Sequence, residues 1–361
     1  MPGFVTRNTS EMDTRNLAVI GLGKMGVMHC AMVSVVPGAQ LAAVVDQKKG
    51  TAGYLRGLGI EARFFDSVDQ LLSESSLNLH GAIIATPQNV HRAVGEQCLR
   101  AGIGVLVEKP LAHTLEDAQA MVHLAEQFPA LPAGVAYMKA HYPIYRRLKE
   151  ILSGGTLGRL EAVEARSLFG QVLRPHGGWI YDPSRSGGGV LINSACHMLQ
   201  LLHFLFGRAQ SVDASTRRIH SREVEDEAEL QIRFESGIDA QVKTSWSTPG
   251  YDTEYTEINL AGENGRIVAT DDFLQLDIDS PTPGFQARQT LIHRCDLEQA
   301  RFNLSPDYGG EGYYFENLDF VESLRATGRQ PAVTWKDGWE VQRTLDAAYR
   351  SAGGAGVVTI T

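Results

Sequence analysis

The chain is short of cysteine, of positive charge and of long apolar runs. Its four cysteines, Cys30, Cys98, Cys196 and Cys295, lie far apart, and none forms a C-x-x-C pair. That excludes a disulfide-stapled scaffold and leads us to expect reduced thiols in a cytoplasmic protein. Lys and Arg number 33 against 42 Asp and Glu, a formal net charge of −9. Binders of a phosphate backbone carry a basic surface, so no nucleic-acid partner is expected. No segment reaches the roughly 18 apolar residues of a membrane helix, so no membrane partner is expected either. Residues 1–16 are polar and mixed in charge, without the apolar stretch of a secretory signal. What is present is ordinary: 43% hydrophobic and 21% charged residues over a 361-residue chain. At roughly 150 residues per domain, two domains are expected.

The first chemical signal is Gly21-Leu22-Gly23-Lys24-Met25-Gly26, a G-x-G-x-x-G directly after the apolar run Leu17–Ile20. A helical stretch follows from about Lys24 to Val36, then a turn at Pro37-Gly38 and a second apolar run, 41–45, ending in Asp46. Each part has a mechanical reason. Gly21 permits the tight turn, Gly23 lets backbone approach a pyrophosphate, and Gly26 lets the helix pack close to the strand. The helix start, at Lys24 and Met25, offers free N–H groups to phosphate. Asp46 can accept hydrogen bonds from ribose hydroxyls and would repel a 2′-phosphate. Strand, glycine turn, helix and acid together predict a dinucleotide site, with NAD as cofactor. Lys48 and Lys49 leave NADP open.

Strands then alternate with helices. A helix is read over 68–72, a strand over 81–85 stopped by Pro87, a helix over 89–101, a strand over 104–107, a helix over 115–127 and a strand over 133–137. Such alternation implies a parallel sheet covered on both faces, with ligands at the carboxyl ends of its strands. Asp46, Thr86 and Lys109 all stand at such ends. Farther on, 160–168, 212–218, 228–234, 238–245, 256–260 and 266–269 read as strands, several with apolar/polar alternation.

GLGKMGVMH at 21–29, ATPQNVH at 85–91, AGIGVLVEKPLAHT at 101–114, GGGVLINSACH at 187–197 and the stretch 315–351 resemble the glucose–fructose oxidoreductase / inositol dehydrogenase (Gfo/Idh/MocA) family. The resemblance implies an α/β chain. An N-terminal Rossmann dinucleotide-binding domain over 17–138 follows the polar segment 1–16. Residues 139–361 then form an α+β substrate-binding and oligomerisation domain with a large, mostly antiparallel open-faced sheet. The open face needs a cover, which in this family another subunit often supplies, so a homodimer or homotetramer is implied. The implied activity is hydride transfer between a nicotinamide and a sugar, cyclitol or related polyhydroxy compound. The alternatives carried with it are an NAD-using glycoside-cleaving enzyme and a catalytically silent NAD-binding regulator.

The family's catalytic set is a lysine in the EKP segment plus an aspartate and a histidine on one helix. Lys109 matches the lysine and His197 the histidine. Where the family commonly has aspartate, this chain has Asn193 and again Gln200. An amide can orient a hydroxyl but cannot take a proton. Proton handling is therefore expected from Lys109 and His197, with Asn193 positioning the substrate. Thr86, Pro87, His91, Glu108 and Lys109 join the expected cofactor contacts. Tyr137 is an expected substrate contact, and Lys139 and His141 stand close behind it in the sequence. Arg174, His176 and Trp179 are further substrate candidates, in a loop that also carries Arg166, Tyr181 and Arg185. No spacing supports a metal site.

Overall fold

The computed structural model describes residues 14–48, 50–173, 177–298 and 310–360. The chain opens with β1 (Arg15–Ile20), α1 (Lys24–Val35), β2 (Ala39–Val45), α2 (Gly50–Gly57), β3 (Arg63–Phe65) and α3 (Val68–Leu72). It continues with β4 (Gly81–Ile84), α4 (His91–Arg100), β5 (Gly104–Glu108), α5 (Leu115–Gln127) and β6 (Ala133–Ala136). Among the described residues these strands form a parallel sheet of order β3-β2-β1-β4-β5-β6. Strand order reverses between β1 and β4, which opens a crevice for a dinucleotide at their carboxyl ends. The central strands are largely apolar because both faces are covered; Leu17, Ala18, Val19 and Ile83 are wholly buried.

The second half contains α6 (Pro143–Ser153), β7 (Leu160–Leu168), the short α7 (Pro183–Ser186), a π-helical turn over Leu191–Ala195 and α8 (Cys196–Phe206). Then come β8 (Ala209–Arg217), β9 (Glu227–Phe234), β10 (Asp239–Ser245), β11 (Tyr255–Gly262), β12 (Gly265–Thr270), β13 (Phe273–Ile278) and β14 (Gln289–His293). The chain closes with α9 (Gly310–Arg325), α10 (Trp335–Arg350) and β15 (Val358–Thr359). The strands make a second sheet of order β14-β13-β12-β11-β7-β10-β9-β8-β15, antiparallel except where β10 runs beside β7. Along β9, Ala228, Leu230, Ile232 and Phe234 point into the core while Glu229, Gln231 and Arg233 face outward. Period-two alternation is what a sheet covered on one face requires. Helices α8 and α10 cover the inner face, and the outer face is open.

The expected elements of the first half appear within a few residues of their limits. In the second sheet, β13 to β15 were not expected: β14 buries none of its residues and β15 is only Val358–Thr359, so neither shows an apolar face, whereas β13 alternates as plainly as its neighbours. The last helices return to the first half: α9 packs on α1 and β1, and α10 on α5 and β6. Leu324 of α9 lies against Gly81 and Gly104, where a Cβ would stand 2.7 Å from its methyl groups. By length and composition alone Pro183–Phe206 would pass for a membrane span, its most apolar 18-residue window averaging a hydropathy of 1.4, but 78% of that window is buried inside the protein. The triple glycine and the packing of α8 beneath the second sheet account for that composition.

Candidate active site

The glycine loop follows its mechanical reading. Gly21 has φ +92°, and a Cβ there would lie 2.7 Å from the Ala85 carbonyl oxygen. A Cβ on Gly26 would overlap the Gly21 carbonyl, whereas one on Gly23 would meet nothing within 4 Å. Gly23, Lys24 and Met25 therefore leave the start of α1 open, as phosphate binding needs. Asp46 accepts hydrogen bonds from the Leu22 N–H and the Lys48 N–H, both at 2.7 Å. Each oxygen keeps a further lone pair, so the carboxylate can still receive ribose hydroxyls. Lys49 lies outside the described residues.

Across the crevice, Thr86 and Pro87 follow the end of β4, and β5 ends in Glu108 with Lys109 next. Thr86 Oγ1 is buried with no hydrogen-bond partner among the described residues. His91 and Glu108 are occupied by the protein itself. The His91 ring lies 3.0 Å from the Thr86 carbonyl and 3.2 Å from those of Pro110 and Leu111, pinning the two loops together. Burial moves its pKa below the usual value, against those carbonyls. Glu108 pairs with His29 of α1 at 3.1 Å, and His29 in turn meets Asn317 of α9. Burial pushes the Glu108 carboxyl up, but the His29 hydrogen bond and the His29 and Lys109 charges hold it below its usual value. These two residues shape the loops that present Thr86 and Lys109.

Lys109 reaches the other half of the molecule. Its Nζ donates to the Asn193 carbonyl at 2.7 Å. His197, on the first turn of α8, sets its ring edge-to-face with Tyr137, centroids 5.9 Å apart. His197 Nδ1 and the Tyr137 hydroxyl are buried and lack a partner of good geometry among the described residues; the Cys196 thiol beside Tyr137 interacts only weakly. Burial, then the charges of Lys109 and Lys139, push the His197 pKa well below 6.5, so the ring is neutral. At neutral pH it therefore offers one donor and one acceptor, and is a weaker base than a free imidazole. Unpartnered polar atoms lie on Thr86 and Tyr137, just past the ends of β4 and β6, and on His197, which feels the Lys109 charge, as expected where a cofactor and a polar substrate complete the bonding. The residues present fit a nicotinamide dinucleotide.

Several expected contacts lie elsewhere. The Asn193 amide nitrogen donates to the carbonyls of Gly188 (3.1 Å) and Gly189 (3.0 Å), closing its own turn. Lys139 is buried and bound to Asp271 and Thr256. His141 is buried, and burial and Arg146 lower its pKa to about 3. Arg166 points to the outer face of the second sheet and pairs with Glu257 at 3.1 Å, because alternate strand residues face opposite sides. Trp179 is half-buried and Arg185 exposed in the loop before the triple glycine. Arg174 and His176 lie outside the described residues. Sequence reasoning missed Trp246, whose Nε1 donates to Ser194 Oγ at 2.7 Å; Tyr181, one of the residues expected in the approach loop, packs edge-on against it. Among the described residues no group of three or more His, Cys, Asp or Glu side chains is gathered as for a metal.

Residues 15–133 match the oxidoreductase family with NAD-binding Rossmann fold, and residues 145–268 match the GFO/IDH/MocA C-terminal domain. The chain belongs to the Gfo/Idh/MocA family. Within it, the chain is 31% identical over 210 residues to a 1,5-anhydro-D-fructose reductase of Ensifer adhaerens, covering 55% of this chain and 60% of that protein. It is 26% identical over 330 residues to the scyllo-inositol 2-dehydrogenase (NAD(+)) of Bacillus subtilis (strain 168), covering 88% of each. A levoglucosan dehydrogenase solved with NADH and levoglucosan superposes with TM-score 0.86 at 22% identity, over 96% of this chain and 99% of that one. As a Gfo/Idh/MocA oxidoreductase, the protein binds NAD in its first domain.

Proposed function

We propose that this protein is a dehydrogenase or reductase moving hydride between NAD and a sugar, cyclitol or related polyhydroxy compound. The observation that carries the reading is Lys109, at a strand end of the nucleotide-binding sheet, with its ammonium against the helix that bears His197. The nicotinamide supplies the hydride chemistry; the protein supplies orientation and proton management. Gly21, Gly23, Gly26 and Asp46 hold the dinucleotide, and Thr86 faces it from the loop after β4. Lys109 holds the reacting oxygen and exchanges its proton. Neutral His197 hydrogen-bonds the same oxygen or its neighbour, and Tyr137 supports the ring. Relatives named for anhydrofructose, inositol and levoglucosan support a substrate rich in hydroxyl groups.

Residues 17–138 act as the nucleotide-binding unit and 139–361 as the substrate and assembly unit, with α9 and α10 tying the two together. The outer sheet face is the surface for a second copy. Its groove of about 600 Å³, lined by Glu164, Arg166, Glu229, Gln241 and Lys243 among others, has neither Lys109 nor His197 in its lining and fits assembly better than catalysis. Three buried free thiols and an exposed one fit a cytoplasmic setting.

The test is a screen of inositols, anhydro-sugars, aldoses and sugar acids with NAD and NADP, following absorbance of reduced nicotinamide. On a substrate so found, Lys109→Ala should lower turnover about 10²–10⁴-fold while NAD affinity stays nearly unchanged. Wild-type turnover in both Lys109→Ala and His197→Ala would reject the assignment.

A further inference from the structure

The start of the helix segment that carries His197 is held by one distant residue. Glu225, buried on the loop before β9, accepts through Oε1 from the Gly189 N–H (2.8 Å) and the Leu191 N–H (3.1 Å). Its main-chain carbonyl accepts from the Val190 N–H at 2.9 Å. Three consecutive donors that a helix start leaves orphaned thus go to a single residue. The Tyr349 hydroxyl of α10 donates to the same Oε1 at 2.8 Å. A carboxylate here also complements the positive end of the helix. The approach needs bare backbone: a Cβ on Gly188 would overlap the Tyr349 hydroxyl, and one on Gly189 the Glu225 carbonyl.

The chain then passes through the π-turn Leu191–Ala195. Such a turn holds one more residue than an α-turn and frequently marks functional sites. Within it the Asn193 carbonyl receives Lys109 Nζ, and the Asn193 amide closes back on Gly188 and Gly189. His197 meets Tyr137 just beyond. The clamp and the catalytic contacts are therefore opposite ends of one short rigid segment.

We propose that Glu225, buttressed by Tyr349, is a positioning residue that fixes this π-turn so that the Asn193 carbonyl holds the Lys109 ammonium and His197 keeps its place against Tyr137. The inference rests on the reading of Lys109 given above. Its test uses the full chain with Glu225→Ala, Glu225→Gln, Tyr349→Phe and Lys109→Ala, assayed on the polyhydroxy substrate found by the screen. NADH affinity is read by fluorescence titration and the exchange of amides 189–197 by mass spectrometry. A displacement of about 1 Å costs up to about 10²-fold in rate, so Glu225→Ala should lower kcat by about 10–100-fold. Substrate KM and NADH affinity should stay near wild type, and amides 189–197 should exchange faster. Glu225→Gln, whose amide oxygen still accepts both N–H groups, should recover most of kcat, and Tyr349→Phe should fall between. Wild-type kcat in Glu225→Ala, or kcat and NADH affinity falling together, would overturn the proposal. If Glu225→Ala does not fold, Tyr349→Phe decides: lower kcat at unchanged NADH affinity supports the clamp, and wild-type kcat refutes it. Retained turnover in Lys109→Ala removes the underlying reading and this inference with it. Collapse in Lys109→Ala beside wild-type Glu225 variants removes the clamp alone.

Discussion

Two glycine-rich segments feed this site, and their glycines serve opposite ends. At 21–26 the middle glycine faces open space, and the bare backbone is there for a ligand to approach. At 187–189 the space is already filled: Gly188 lies under Tyr349, Gly189 against Glu225, and Gly187 adopts φ +74° beside Ile192 and Gln88. There the bare backbone lets the protein approach itself. The same letter in the sequence marks a ligand cradle in one place and a structural clamp in the other.

The sharpest way to break that comparison is to add one methyl group to each segment. Gly189→Ala should cost about 3 kcal/mol, at the upper end for overpacking, because a backbone carbonyl cannot swing aside as a side chain can. Gly23→Ala should leave thermal stability unchanged and weaken NAD binding about tenfold, the worth of a displaced hydrogen bond. Thermal melts and NAD titrations of the two variants check both halves. Equal loss of stability in the two would abolish the distinction.

Asn193→Asp separates substrate positioning from clamping. The amide donates to two buried carbonyls, and a carboxylate cannot. The acid should therefore destabilise the fold by about 2 kcal/mol. An unchanged melting temperature with raised turnover would show that the side chain serves the substrate instead.

The smallest effect concerns acid. Burial first, then the Arg343 and Arg208 charges, lower the His203 pKa on α8 to about 4; His197 is also held neutral. An unfolded histidine titrates near 6.5, so below that pH the unfolded chain takes up protons that the folded one refuses. This share of stability is present above about pH 7 and is lost as pH falls from 6.5 toward 4. By pH 5 His203 should account for about 1–2 kcal/mol, which His203→Gln should remove from the pH dependence of unfolding. The nucleotide loop, with no histidine between Gly21 and Gly26, should contribute none of it.

Much of the first sheet was legible because its signals are local. An apolar run, a glycine turn and a helix with Gly102 behind it each declare themselves within a dozen residues. The second sheet was less so: β14 buries none of its residues and β15 is very short, and α9 and α10 reveal their first-half partners only across more than half of the chain. Lys109 and His197 stood out by position and by family likeness. Glu225, Tyr349 and Trp246 did not, since nothing in their neighbourhoods distinguishes a buried clamp from an ordinary loop acid or a core aromatic.

The sequence alone determined the dinucleotide fingerprint, the acid at the second strand end, the alternation that makes a parallel sheet and the departure to amides at Asn193 and Gln200. These depend on residue type and short spacing, which sterics and hydrogen-bond periodicity translate directly into backbone. Only the tertiary structure decided that Lys109 meets the Asn193 carbonyl, that Arg166 faces away and that Gly188 and Gly189 serve Tyr349 and Glu225. Those outcomes depend on which face of one element lands on which face of another, and packing across the whole chain sets that, not any stretch of it.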